Sequence, residues 1–134
     1  MSGAQAPFIV SFRARHPTMK ADALANAVGF SPDVSWTVGE PRKTPKGRLL
    51  RGVRDATYIA CSLPPSLSQD LGVALVPPMD ALADRSEELR GLAADGAEFE
   101  LYVTINTEPR GVVVSPLLME KLAALKVGLG LDGF

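Results

Sequence analysis

The residues best suited to chemistry gather around one stretch. Trp36, Glu40 and Arg42 fall within seven positions, and six cations (Arg42, Lys43, Lys46, Arg48, Arg51 and Arg54) follow within thirteen. An arginine fork can grip a carboxylate or phosphate. A glutamate supplies acceptors and an indole supplies an apolar wall. Together these could hold a polar or anionic ligand at the mouth of a basic loop. Upstream, Arg13 and His16 add a further cation and the single histidine of the chain. The candidate binding set is therefore Arg13, His16, Trp36, Glu40, Arg42 and Arg54. Each member has a plainer reading. Trp36 alternates with Val34 and Val38, which predicts a place in the core. Glu40 and Arg42 can pair with each other, and such pairs at a surface are common and weak. A run of cations is most simply a solvated loop.

Several reaction classes find no support in the residue types. His16 has no neighbouring cluster of histidines or cysteines, so no metal site is expected. Asp22, close by, is a charge well placed for a helix start. Cys61 alternates with Ile59 and Leu63 and reads as a packed thiol rather than a nucleophile. There is no Gly-x-Ser-x-Gly elbow. The glycines at 128, 130 and 133 have no helix after them to make a phosphate cradle. No catalytic residue, metal or cofactor is assigned.

The chain has 134 residues, 46% of them apolar, enough for one domain with its own core. A lone cysteine cannot form an internal disulfide. No apolar run approaches a membrane span, and Met1 to Ala6 lacks the basic and apolar regions of a signal peptide. The expectation is a cytoplasmic protein with a flexible start over residues 1–6. The net charge of −1 hides an asymmetry. Residues 1–67 carry nine Lys/Arg against four Asp/Glu, and residues 68–134 carry five against eleven. Nucleic acid is disfavoured as a partner, since the whole chain is slightly acidic and no aromatics interleave the cationic run.

The elements that must position these groups follow from periodicity. Phe8, Val10, Phe12 and Ala14 alternate with more polar neighbours and predict a half-buried strand. Thr18 is expected to cap a helix from Met19 to Val28, stopped by Gly29. A strand over 34–38 leads into a basic loop or hairpin arm over 39–54. Thr57–Leu63 is the next strand. A short helix is expected over 68–76, and one continuous helix from Pro78 to Ala94, closed by Asp95-Gly96. Phe99, Leu101, Val103 and Ile105 mark a further strand. A turn at Glu108–Gly111 and a short strand at Val112–Val114 precede a helix capped by Ser115, with Leu118, Leu122 and Leu125 on one face. Alternation of Val127, Leu129 and Leu131 predicts a final strand. The order is that of a ferredoxin-like βαββαβ core with an extra αβ unit. This is an α+β fold whose mostly antiparallel sheet has helices on one face. The other face would carry Arg13, Arg15, Tyr58, Tyr102, Thr104 and Asn106.

Certain segments also resemble a known family. Val28-Gly29-Phe30-Ser31-Pro32-Asp33, then Trp36 and Gly39-Glu40, then Tyr58 to Leu63, the stretch from Met79 to Ala94, and Ser115-Pro116-Leu117-Leu118 are similar to small bacterial proteins of domain-of-unknown-function family 4279. The resemblance runs from about Phe8 to Asp132. It implies a compact bacterial α+β domain and supplies no activity. Where that family often has a tryptophan opening the central strand, this chain has Thr57-Tyr58. The residues themselves favour a non-catalytic binding or interaction module, with a protein partner or a second copy as its target. The alternative is a small enzyme or anionic-ligand binder built around the basic loop after Trp36.

Overall fold

Alternation in the first strand decides which side of the sheet is buried. In the computed structural model, which describes residues 6–106 and 112–133, β1 (Phe8–His16) turns Phe8, Val10, Phe12 and Ala14 inward and Ile9, Ser11, Arg13 and Arg15 outward. It is the middle strand of five. The others are β2 (Val34–Trp36), β5 (Thr57–Ser62), β6 (Glu98–Ile105) and β7 (Val127–Gly133). Their order is β2-β5-β1-β6-β7. The first four are antiparallel and stand in the ferredoxin-like order expected. β7 lies parallel to β6, and a parallel neighbour requires a crossover. Helix α5 (Pro116–Ala124) makes it, with Ser115 Oγ accepting from Leu118 N–H at 3.1 Å and Pro116 in the first turn.

The remaining segments are helix α1 (Ala21–Val28), the two-stranded ribbon β3 (Pro41–Lys43) and β4 (Leu49–Val53), and the helices α2 (Leu71–Ala74), α3 (Val76–Ala83) and α4 (Ser86–Ala94). Buried helix residues such as Leu24, Leu82, Leu89 and Leu122, with Leu75 between α2 and α3, form one cluster with the inward strand residues. Phe12 lies at its centre, with ring centroids 5.2 Å from Phe30 and 6.0 Å from Phe99. Each such side chain removed from water contributes ~1.5–3 kcal/mol. The result is an α+β sheet with one covered face and one uncovered.

Four expectations need correction. Helix α1 begins at Ala21, not Met19, and Thr18 is not its cap. The N–H groups of Thr18 and Met19 both donate to His16 Nδ1, at 3.1 and 3.0 Å, and the Met19 carbonyl accepts from the Thr57 hydroxyl. That backbone is committed before a helical turn can form. The helix expected over 68–76 is a single turn, α2, capped by Asp70. The stretch 78–94 is two helices, broken at Asp84-Arg85, where Arg85 leaves helical geometry and its guanidinium reaches α1. Val112–Val114 forms no strand, because β7 already fills the edge of β6. The turn expected at 108–111 and residues 1–5 lie outside the described residues. Ala6 and Pro7, which are described, have carbonyls that accept from Asn106.

Candidate functional site

The uncovered face follows from the sheet register. Opposite neighbours on it are Trp36 and Tyr58, Tyr58 and Arg15, Arg15 and Glu98, Arg13 and Glu100, Tyr102 and Gly130, and Thr104 and Asp132. Three arginines lie on three aromatic rings there. The Arg54 guanidinium is 3.7 Å from the Trp36 ring centre, Arg13 is 3.8 Å from Tyr102, and Arg15 is 5.1 Å from Tyr58. A cation over a π face is worth ~0.5–1 kcal/mol when exposed and more when desolvated. The Nε atoms of Arg13 and Arg54 are buried without an acceptor; both guanidinium groups lie over a ring, and that of Arg54 is also tied to the Lys43 carbonyl.

Trp36 therefore does not pack in the core, as its alternation with Val34 and Val38 predicts. Strand β2 is a three-residue edge strand, Val34 is half exposed, and Val38 lies beyond the strand's end. With no described helix over this side of the sheet, the indole lies against Tyr58, ring centroids 4.7 Å apart. The Trp36–Tyr58 pair forms a ridge between two open clefts. One, of about 670 Å³, is lined by Trp36, Glu40, Lys43 and Arg54 together with Asp33 and Pro45. The other, of about 260 Å³, is lined by Arg13, Arg15, Tyr58, Glu98 and Glu100.

The basic stretch after Trp36 is the ribbon β3–β4, and every residue from Pro45 to Val53 is exposed. Its base is closed by backbone bonds from Gly39 N–H to the Arg54 carbonyl and from Arg54 N–H to the Glu40 carbonyl, both 2.8 Å. The Glu40 carboxylate accepts from Thr37 N–H and so fixes the entry turn. Arg54 Nη2 donates to the Lys43 carbonyl at 3.1 Å, and Arg42 Nη1 reaches the Arg51 carbonyl at 3.5 Å. The ribbon thus carries its cations on a backbone that shields none of them.

Of the six residues the sequence nominates, Trp36, Glu40 and Arg54 meet at one cleft. Arg13 lines the other cleft. Arg42 lies on the outside of the ribbon and lines neither. His16 is buried, its Nδ1 occupied by two backbone donors. Sequence reasoning did not nominate Tyr58, Arg15 or Lys43. Period-two alternation from Thr57 places Tyr58 outward, but only the register places it beside Trp36.

Other titratable groups carry structural roles. Asp33 Oδ2 accepts from Ser62 N–H at 2.6 Å, and the hydrogen bonds from Ser62 hold its carboxyl below the usual carboxylate range. Burial pushes the Cys61 thiol up to about 11, with the Asp33 charge adding to the effect. No group of His, Cys, Asp and Glu among the described residues is arranged to hold a metal ion. No described helix is long and apolar enough to cross a membrane.

No protein-family model, no curated protein and no solved structure matches this chain.

Proposed function

We propose that the chain is a non-catalytic binding module for an anionic partner, engaged on the β2–β5 side of the uncovered sheet face together with the cationic ribbon. The observation that carries this reading is Arg54 lying 3.7 Å over the Trp36 ring in the wall of an open cleft, at the root of an arm bearing five further cations. A guanidinium pinned by a ring and by the Lys43 carbonyl loses little freedom when an anion arrives, which is how preorganisation raises affinity. The groups best suited to base or nucleophile chemistry are otherwise engaged. His16 accepts two backbone bonds, and Cys61 is a buried thiol. A cytoplasmic setting and membership of domain-of-unknown-function family 4279 belong to the same proposal, the latter on the markers from Val28 to Glu40 and from Ser115 onward.

Trp36 is the single tryptophan, so its emission reports on the cleft directly. Titration with tripolyphosphate or heparin is expected to change that emission saturably. Salt should weaken the effect, and Arg54→Ala should abolish it while far-UV circular dichroism stays unchanged. Polylysine should do nothing. Emission that ignores both polyanions, or that responds equally in Arg54→Ala, would refute the reading.

A further inference from the structure

The geometry points to single-stranded nucleic acid as the anionic partner: bases stacked on the Trp36–Tyr58–Arg54 ridge, phosphates tracked by the ribbon. This inference rests on the binding reading above and names its ligand. The cationic run from Arg42 to Arg54 contains no aromatic residue of its own. The fold supplies what the run lacks. Trp36 precedes the ribbon, Tyr58 follows it, and antiparallel pairing of β2 with β5 sets the two rings 4.7 Å apart at its root. Trp36 and Tyr58 are half-buried and open on the uncovered face, and an aromatic platform joined to a cationic track is the arrangement that binds single strands, because every base has a π face and every nucleotide a phosphate. The open face of a four-stranded sheet is a known place for splayed bases, which also stack on arginine planes. Arg54, held over the Trp36 ring, offers such a plane.

Charge is arranged to suit. The acids that make the whole chain slightly negative are largely elsewhere. Asp80, Asp84, Glu87, Glu88 and Asp95 are exposed on α3, α4 and their ends, in the helix layer behind the sheet. A helix is ~10 Å across, and screening at physiological salt acts over ~8 Å, so these charges contribute little at the open face. On that face Glu98 and Glu100 stand opposite Arg15 and Arg13, and Asp132 sits at the far edge. They neutralise the β1 and β6 side; Asp33 and Glu40 offset Lys43 and Arg54 in the β2–β5 cleft, and the ribbon, which holds no acid from Pro41 to Val53, is the cationic lane. An isolated two-stranded ribbon is marginal in water. This one exposes Leu49 and Val53 as well as its cations, and a strand laid along it would cover both.

The test uses the full chain with fluorescein-labelled oligo-uridine and oligo-deoxythymidine of about twelve nucleotides, read by anisotropy over a salt series. Binding with quenching of Trp36 is expected for at least one of them, and comparing the two tells RNA from DNA. Trp36→Ala should weaken binding by about five- to hundredfold, the worth of one stacked base, with the salt slope unchanged. Trp36→Phe should retain most of the affinity. Replacing Lys46 and Arg48 together by Ala should reduce the slope of log K on log salt by about 1.4, two phosphate contacts on a single strand. Arg90→Ala, in the helix layer, should change nothing. Three results would overturn the inference while leaving anion binding intact: an oligonucleotide bound no more tightly than heparin, a duplex bound as well as the single strand, or full affinity in Trp36→Ala. If heparin and oligonucleotide both fail to bind, the binding reading falls with it.

Discussion

Arg85 closes the C-terminal end of α1 from across the helix layer, its Nη1 donating to the carbonyls of Asn26 and Ala27 at 3.1 Å each. The last carbonyls of a helix have no partner within it, and a cation there also meets the negative end of the dipole. Gly29 makes this possible. It ends the helix at φ +85°, and a Cβ there would run into the Arg85 guanidinium. Arg85→Ala is expected to cost ~1–2 kcal/mol in urea unfolding. Gly29→Ala should cost at least as much, from the positive φ and the collision together. The double variant should cost less than the sum, because the collision disappears with the arginine while the backbone strain stays. Strict additivity would show that the two residues do not meet.

His16 and Thr57 are register partners in the sheet and together organise the entry to α1. His16 Nδ1 takes the N–H groups of Thr18 and Met19, and a nitrogen that accepts twice carries no proton, so the ring's hydrogen is on Nε2. The Thr57 hydroxyl donates to the Met19 carbonyl at 2.5 Å and accepts from Val38 N–H at 2.9 Å, in full burial. Thr57→Val keeps the shape and orphans both backbone groups, at an expected cost of ~1–3 kcal/mol. His16→Ala should cost a similar amount. His16→Asn, whose side-chain oxygen can stand where Nδ1 does, should recover part of it. Equal losses for Ala and Asn would mean that the ring's bulk matters and its acceptor does not.

These two relationships show why some of the fold was legible in the sequence and some was not. Alternation in Phe8–His16 and Glu98–Ile105, the cap at Ser115 and the spacing of Leu118, Leu122 and Leu125 are local signals, and each element formed where they pointed. The break at Arg85 is invisible locally, because helical periodicity runs straight through it and the reason for it is a carbonyl of α1. The entry to α1 was misplaced for the same kind of reason: His16 and Thr57, rather than Thr18, decide it. Trp36 lies on the uncovered face rather than in the core; alternation tells which residues share a face and not which face is covered. That choice belongs to the helix layer, and an edge strand of three residues carries too short a pattern to reveal it. Half the candidate site was therefore nominated from sequence, and Tyr58 entered it only through pairing with a strand more than twenty residues away.

Cys61 lies against the core in β5, 1% exposed, with its thiol raised to about 11. At pH 8 only about one molecule in a thousand would then carry the reactive thiolate. Labelling with a disulfide reagent should be negligible in the native state at that pH and complete in urea. The native rate should follow the opening equilibrium, so that Thr57→Val labels faster in proportion to its lost stability. Rapid stoichiometric labelling of the folded protein at pH 8 would contradict the burial of this thiol.

Tyr102 donates its hydroxyl to Asp132 Oδ2 at 2.9 Å, joining β6 to the last strand, while Arg13 lies over its ring. The hydrogen bond to a carboxylate holds the phenol protonated and raises its pKa, and the Asp132 and Glu100 charges add to the effect more than Arg13 offsets it. A group whose pKa is higher folded than unfolded supports the fold fully below the unfolded value and ceases to as the pH rises through the folded one. The Tyr102 contribution should therefore hold up to about pH 10 and decline above it, adding to the decline from Cys61, which begins at about pH 8.5. Asp132→Asn should lower the phenol's midpoint in an ultraviolet titration and remove part of the alkaline decline, whereas Cys61→Ala should leave the phenol titration unmoved. Gly130→Ala tests the same contact from the neighbouring strand, since its Cβ would stand 2.8 Å from the Tyr102 ring and 3.1 Å from the Glu100 carboxyl carbon. The ring must then shift, and the phenol midpoint should fall toward its ordinary value as it does in Asp132→Asn. A titration unchanged in both variants would place the cause of the raised pKa elsewhere than in Asp132.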